Sequence, residues 1–212
     1  MIHTLPKPTD LGLPPKFTSW RSGQVRAILD TIDYQQRFFT QIQPTGSGKS
    51  LCYVTTAILK GCRTLILTSL KGLQEQLVAD FGSSPGIAKV MGKSSYTCPK
   101  TETSCEWAPC NFGTYCRNKK EGGCPYYDAI RIATRSQIVV TNYAFWHANA
   151  ADRLGEFDLL VCDEAHNAVN HLVDSLSLRV TRKSSLTLVF NGQHQAITSG
   201  TGYVTLTIAL MI

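Results

Sequence analysis

The octet Gln43-Pro44-Thr45-Gly46-Ser47-Gly48-Lys49-Ser50, QPTGSGKS, stands between two apolar stretches of the chain. Before it, Arg37 to Ile42 (RFFTQI) is short and apolar-rich, the pattern expected of a buried strand. After it, GKSLCYVTTAILK carries Leu51, Val54, Ile58 and Leu59 at helical spacing. The octet is therefore expected to be a glycine-bearing turn from a strand into a helix. Gly46 and Gly48 let backbone N–H groups turn inward around an anion, and the helix N-terminus adds partial positive charge. Thr45 and Ser47 complete the loop, Lys49 would reach β- and γ-phosphates, and the Ser50 hydroxyl would sit on Mg²⁺. Gln43 occupies the first glycine position of the general pattern, so the octet by itself leaves an ordinary turn as the alternative.

A second motif weighs against that alternative. EFDLLVCDEAH runs as an apolar strand from Phe157 to Cys162 and ends in Asp163-Glu164-Ala165-His166. An acid at the tip of a neighbouring parallel strand is where a Mg²⁺-binding carboxylate belongs, and Asp163 supplies it. Glu164 beside it suits the orientation or deprotonation of an attacking water. Without the phosphate loop the pair would read as a solvated strand end.

Elsewhere the chain alternates helix and strand patterns. WRSGQVRAILDTI places Val25, Ile28, Leu29 and Ile32 on one helical face. RTLILTS (63–69) reads as a strand and KGLQEQLVADF as a helix. PYYDAIRIAT reads as a helix and QIVVTN (137–142) as a strand. This order predicts an α/β fold: a parallel sheet with helices on both faces, and ligands at the carboxyl ends of its strands. With 212 residues the chain has length enough for one domain with an insertion. The formal charge of +6 is compatible with a nucleic-acid partner but does not require one. No run of eighteen apolar residues occurs and the proline-rich N-terminus lacks the apolar core of a signal peptide, so a cytoplasmic protein without a membrane partner is expected.

Eight cysteines are present, and five fall close together: Cys98, Cys105, Cys110, Cys116 and Cys124. Without a secretory signal, such crowding points to a metal rather than to disulfides. Cys52, Cys62 and Cys162 lie in apolar contexts and are expected as small buried hydrophobes. Residues 92–123 have little apolar periodicity, so a metal centre is the expected staple. The intervals between the five thiols are wide and irregular. They suit an iron–sulfur cluster better than zinc, which favours closely paired ligands, although zinc stays open at this point.

In combination and order these motifs resemble the superfamily 2 DNA helicases of the iron–sulfur type, the XPD/DinG-like group. QPTGSGKS resembles motif I, in which Gln commonly replaces the first glycine, and DEAH is motif II as it stands. WRSGQ, with Gln24, resembles the adenine-recognising Gln motif. LTSLKGLQEQL is similar to motif Ia, which lies along the nucleic-acid backbone. The cysteine segment followed by IVVTNYAFW is similar to the cluster insert and the strand returning from it. The resemblance implies a P-loop NTPase (RecA-like) lobe interrupted by a small iron–sulfur insert. It implies the cofactors ATP, Mg²⁺ and a 4Fe-4S cluster, a single-stranded or forked DNA partner, and a place in DNA repair. Lys49, Asp163 and Glu164 become the catalytic residues, with Gln24 and Thr45 to Ser50 on the nucleotide. Ser50 and Asp163 hold Mg²⁺, and Cys98, Cys110, Cys116 and Cys124 hold the cluster. Cys105 is then supernumerary, and the set Cys105, Cys110, Cys116 and Cys124 remains the alternative.

The resemblance covers roughly Phe17 to Asn167. The expected division is residues 1–92 as the first part of the lobe, 93–128 as the insert and 129–170 as the remainder with the DEAH box. Residues 171–212 are the start of an arch-like insertion or an atypical, truncated tail. That tail carries an Asn191-Gly192 hairpin signal and alternation through Val204, Leu206, Ile208, Leu210 and Ile212. No motif III, second motor lobe or motif VI follows, so the chain is expected to be one lobe of a helicase that does not unwind alone. The competing expectation, from a different class, is a non-motor module that binds ATP and nucleic acid.

Overall fold

The structure, a computed structural model, describes residues 4–69, 71–82, 84, 86–176, 178–180, 186–190, 193–197 and 204–206. Helix α1 (Gln24–Asp33) is followed by α2 (Lys49–Lys60), strand β1 (Thr64–Thr68), α3 (Lys71–Phe81) and β2 (Ile87–Lys89). After the cysteine segment come α4 (Arg117–Glu121), α5 (Pro125–Arg135) and β3 (Ile138–Asn142). Then follow α6 (Tyr143–Phe145), a π-helical turn, α7 (Ala151–Leu154), β4 (Leu159–Cys162) and α8 (Ala168–Leu176).

Strands β1 to β4 form one parallel sheet in the order β2-β3-β1-β4. Every residue of β1 is buried, as a central parallel strand covered on both faces requires. Alternation of side chains divides the core in two. Leu65, Leu67 and Val139 pack with the α5 side chains Tyr126 and Ala133, and Ile66, Ile138 and Val140 pack with Val54 and Ala57 of α2 and Phe81 of α3. Helices therefore cover both faces, as the alternating sequence predicts. Cys98, Cys105 and Cys124 belong to the α5-side core, so the cysteine segment is built into the lobe and does not stand off from it. Arg63 closes the N-terminal edge of the sheet. Its guanidinium donates to the carbonyls of Leu154 at 2.6 Å and Glu156 at 2.7 Å and lies 4.3 Å from the Phe157 ring centre.

One sequence expectation is overturned. Arg37 to Ile42 is not a strand: Phe38 is 77% exposed and Ile42 93%. Both edges of β1 are occupied, by β3 and β4, and Gln41 donates to the Ala27 carbonyl, tying the segment to α1. The outer edge of β4 carries no further strand among the described residues, so the apolar composition of Arg37 to Ile42 did not by itself bring it into the sheet. Cysteine burial is also corrected. Cys52 is buried as expected, but Cys62 is half-buried in the loop before β1, and Cys162 is exposed on the edge strand β4. The short strand β2 was not apparent from its sequence.

In the C-terminal part, β5 (Leu178–Val180) pairs antiparallel with β8 (Val204–Leu206), and β6 (Leu186–Phe190) with β7 (Gln193–Ile197). Phe190 opposes Gln193, which leaves two residues for the connection, as the hairpin signal predicts. Asn191 and Gly192 themselves, and the alternation at Ile208, Leu210 and Ile212, lie outside the described residues. No helix among the described residues is long and apolar enough to cross a membrane.

Candidate functional site

The phosphate loop enters α2 through Gly48, which stands at φ +84° as the residue before the helix. A Cβ there would be strained by that φ and would lie 2.4 Å from the Gln24 amide nitrogen. Gly46 also has positive φ, +78°. The loop is braced from α1 and the turn before it: Gln24 Nε2 donates to the Ser47 carbonyl at 3.0 Å and an Arg21 guanidinium nitrogen to the Gly46 carbonyl at 3.0 Å. Gln24 Oε1 accepts from the Arg21 backbone N–H at 2.8 Å, so this buried amide is bonded at both ends. Gln43, the residue that departs from the glycine pattern, accepts the Ser47 hydroxyl proton at 3.1 Å.

The acid motif meets this loop across the carboxyl end of β4. Lys49 Nζ lies 3.0 Å from Glu164 Oε1, joining residues that are 115 positions apart. The other Glu164 oxygen is 3.4 Å from His166 Nδ1. Glu164 has φ +51°, a left-handed backbone that a non-glycine residue seldom adopts. Asp163 is carried one residue beyond β4, its N–H bonded to the Leu67 carbonyl at 2.9 Å. Burial raises its carboxyl above the ordinary carboxylate range; Glu164 adds to the shift and Lys49 opposes it.

Two tyrosines not singled out in the sequence belong here. The Tyr53 hydroxyl lies 3.4 Å from Asp163 Oδ2 and also meets the Ser50 side chain, so it stands between the two candidate Mg²⁺ ligands. Its position three residues after Ser50 on α2 was the available signal, since such residues share a helix face. The Tyr143 hydroxyl donates to the Asp163 carbonyl at 3.2 Å. Burial raises both phenols.

The five clustered cysteines converge. Cys98, Cys105, Cys110, Cys116 and Cys124 all line one small cavity. Cys98 and Cys105 are placed by a tight backbone crossing, in which Cys98 N–H bonds to the Thr103 carbonyl and Cys105 N–H to the Tyr96 carbonyl, both at 2.7 Å. Asn111 donates to the Cys105 carbonyl at 2.6 Å and accepts from Lys93 at 2.5 Å. Cys124 is the residue before α5, with Pro125 in the first turn, where a missing N–H costs nothing. Burial raises the Cys105 thiol to about 11, and Cys124 and Cys98 add to it. Burial also raises Cys110, reinforced by Cys116, Cys124 and Cys98, whereas hydrogen bonds from Thr101 and Lys100 lower Cys98. Among the described residues, no three His, Cys, Asp or Glu side chains form a group able to hold a single metal ion. Outside the cavity, Trp107, Phe112 and Tyr115 are about 70% exposed, and Lys120 lies 5.5 Å from the Tyr115 ring centre.

A family model described as DEAD/DEAH box helicase matches residues 21–199. No curated protein matches the chain significantly. Among solved structures, a truncated XPD superposes with a TM-score of 0.50 at 18% identity, covering 74% of this chain and 56% of that one. A hypothetical ATP-dependent RNA helicase from Sulfolobus tokodaii gives 0.40 at 15% identity, covering 74% and 46%. The likeness to the truncated XPD is one of fold, and the chain spans little more than half of that structure.

Proposed function

The chain belongs to the DEAD/DEAH box helicase family, and from that premise we propose an ATP-dependent DNA helicase of the iron–sulfur type, of which it supplies the phosphate-binding lobe. The observation that carries the nucleotide part is the 3.0 Å contact between Lys49 and Glu164, which unites the phosphate loop and the acid motif in one site. In the proposed reaction, Lys49 holds the β- and γ-phosphates, and Gln24 and Thr45 to Ser50 cradle the nucleotide. Ser50 and Asp163 would hold Mg²⁺, which would supply positive charge against the phosphates. An incoming γ-phosphate competes with Glu164 for Lys49. Glu164, so released, accepts a proton from the water whose oxygen attacks the γ-phosphorus, while the bond from that phosphorus to the bridging oxygen of the β-phosphate breaks and ADP leaves. The test is hydrolysis by Glu164→Gln, which should bind ATP at least as tightly as the wild type and turn over about 10²-fold more slowly or worse. Unchanged turnover would remove Glu164 from the reaction.

The proposed cluster ligands are Cys98, Cys110, Cys116 and Cys124. The observation that supports a thiolate-held centre is that five thiols face one cavity. Bound there, a 4Fe-4S cluster would tie together a segment with little core of its own. Protein purified without oxygen should be brown and contain iron and sulfide; Cys110→Ser should lose both and Cys105→Ser keep them. Colourless protein with stoichiometric zinc would overturn the cluster.

DNA as the partner is proposed from the helicase family and from the exposed aromatics and lysines beside the thiol cavity, which offer stacking faces and phosphate contacts. Competition between single-stranded DNA and RNA of the same sequence tests it, and a preference for RNA would redirect the assignment.

A further inference from the structure

Glu164 meets Lys49 from a left-handed backbone, φ +51°, and a non-glycine residue stays in that region when its surroundings leave it no alternative. The chain on either side of it is tied down. The Asp163 N–H bonds to the Leu67 carbonyl at 2.9 Å, and the Asn167 N–H to the Glu164 carbonyl at 2.9 Å. Between these lies the Asp163–Glu164 peptide group, whose carbonyl accepts the Tyr143 hydroxyl proton at 3.2 Å. That group is planar, and φ of Glu164 is the rotation next to it, so the carbonyl direction and the Glu164 side-chain direction are set together. Tyr143 is itself held firmly. The Asn142 side chain accepts from the Phe145 N–H at 2.7 Å and turns the chain from β3 into α6 at Tyr143. The ring is 2% exposed and stacks on His171 of α8, with centres 5.3 Å and planes 12° apart. From there the hydroxyl reaches past β1, which separates β3 from β4, to the acid motif.

We propose that Tyr143 is a positioning residue for ATP hydrolysis: its hydroxyl holds the Asp163–Glu164 peptide group so that the Glu164 carboxylate stays directed at Lys49 and, with nucleotide bound, at the attacking water. Tyr143 touches no reacting atom and acts through the backbone of Glu164. Without the hydroxyl that peptide group rotates more freely, and Glu164 relaxes toward the right-handed region that non-glycine residues prefer. Its carboxylate then leaves Lys49. The phosphate loop keeps its braces from Gln24 and Arg21, and the Asp163 carboxylate keeps its contact with Tyr53. Nucleotide affinity is therefore preserved, or raised by the freeing of Lys49, while the proton acceptor is misplaced. The effect on turnover rests on the reading of Glu164 as that acceptor; the hold on its conformation does not.

The direct measurement needs no nucleotide. A water-soluble carbodiimide joins a carboxylate to an amine in contact with it, the carbodiimide taking up the water and leaving as a urea. On the full chain it should form an amide between Glu164 and Lys49, read by peptide mapping after digestion. Tyr143→Phe keeps the stacked ring and removes only the hydroxyl. It should lower the yield of that amide about 5- to 10-fold, the population shift that one hydrogen bond controls. His171→Ala loosens the ring but leaves the hydroxyl, and its yield should fall between the two. With ATP and Mg²⁺, Tyr143→Phe should lose kcat by a similar factor, with KM and ATP affinity unchanged or improved. No Lys49–Glu164 amide in the wild type, or an undiminished yield in folded Tyr143→Phe, would overturn the proposal. If Tyr143→Phe does not fold, an undiminished yield in His171→Ala would do the same. Equal losses of kcat and ATP affinity would also overturn it, because they mark a merely structural residue. A reduced yield with unchanged turnover, in a chain that Glu164→Gln leaves fully active, would remove Glu164 from the reaction and leave Tyr143's hold on it standing.

Discussion

Lys49, Asp163 and Glu164 pull against one another, and mutations at them should separate binding from stability. Lys49→Ala removes a charge-assisted phosphate contact of about 1.5–3 kcal/mol, so ATP affinity measured by calorimetry should fall about 10- to 100-fold. The fold itself should change by less than about 1 kcal/mol, because the Lys49–Glu164 pair is about one-third exposed on both sides and water screens it. Asp163 should behave in the opposite sense. Its raised pKa means that, between the ordinary carboxylate value and the raised one, the folded chain keeps a proton that the unfolded chain has released. Stability therefore falls as pH rises through that window, and at neutral pH the bare charge opposes folding. Asp163→Asn should unfold at the same temperature as the wild type or higher at pH 7, and yet lose Mg²⁺-dependent ATP binding. A melting temperature several degrees lower would show that the carboxylate is a structural asset.

At the scale of elements, the sheet depends on pairing as much as on hydrophobicity. Ile42 and Leu65 are both aliphatic residues in apolar runs, but Leu65 is fully buried in β1 and Ile42 stands in solvent. Leu65→Ala should cost about 2–5 kcal/mol in denaturant unfolding. Ile42→Ser should change stability by less than about 0.5 kcal/mol. A large loss at Ile42 would mean that Arg37 to Ile42 is a core strand after all. The cysteine segment makes the same point from the other side. Its sequence has no periodicity to announce an element, but the tight crossing at Cys98 and Cys105 and the cap position of Cys124 hold three thiols in the core.

For the molecule as a whole, the formal charge of +6 and the aromatics beside the insert lead to a prediction about salt. Single-stranded DNA binding should weaken steeply between low and physiological salt as phosphate contacts release counterions. Trp107→Ala and Tyr115→Ala should each cost about 1–3 kcal/mol if a base stacks on the ring. Affinity indifferent to both salt and these substitutions would remove the insert from the binding surface. Among the described residues, one parallel sheet carries the nucleotide motifs. If the motor requires a second lobe to close on ATP, the 212-residue polypeptide by itself should show no strand displacement on a forked duplex. ATP-dependent displacement that vanished in Glu164→Gln would contradict that half-motor reading.

The sequence alone determined the parallel α/β lobe, the loop at Gly46 to Ser50 and the acids at Asp163 and Glu164. Those features are local: apolar periodicity, glycines at a turn that opens a helix and a carboxylate at a strand tip each show within about a dozen residues. It also located the thiol cluster, because five cysteines in one short segment are a compositional fact. Only the tertiary structure decided which apolar runs pair, since Arg37 to Ile42 satisfies the local rules for a strand and yet joins no strand of the sheet. Tertiary packing also brought Tyr53 between Ser50 and Asp163, and gathered the five cysteines around one cavity. These are contacts between residues distant in sequence or across irregular loops. No periodicity encodes them, because they arise only when separate elements share one core.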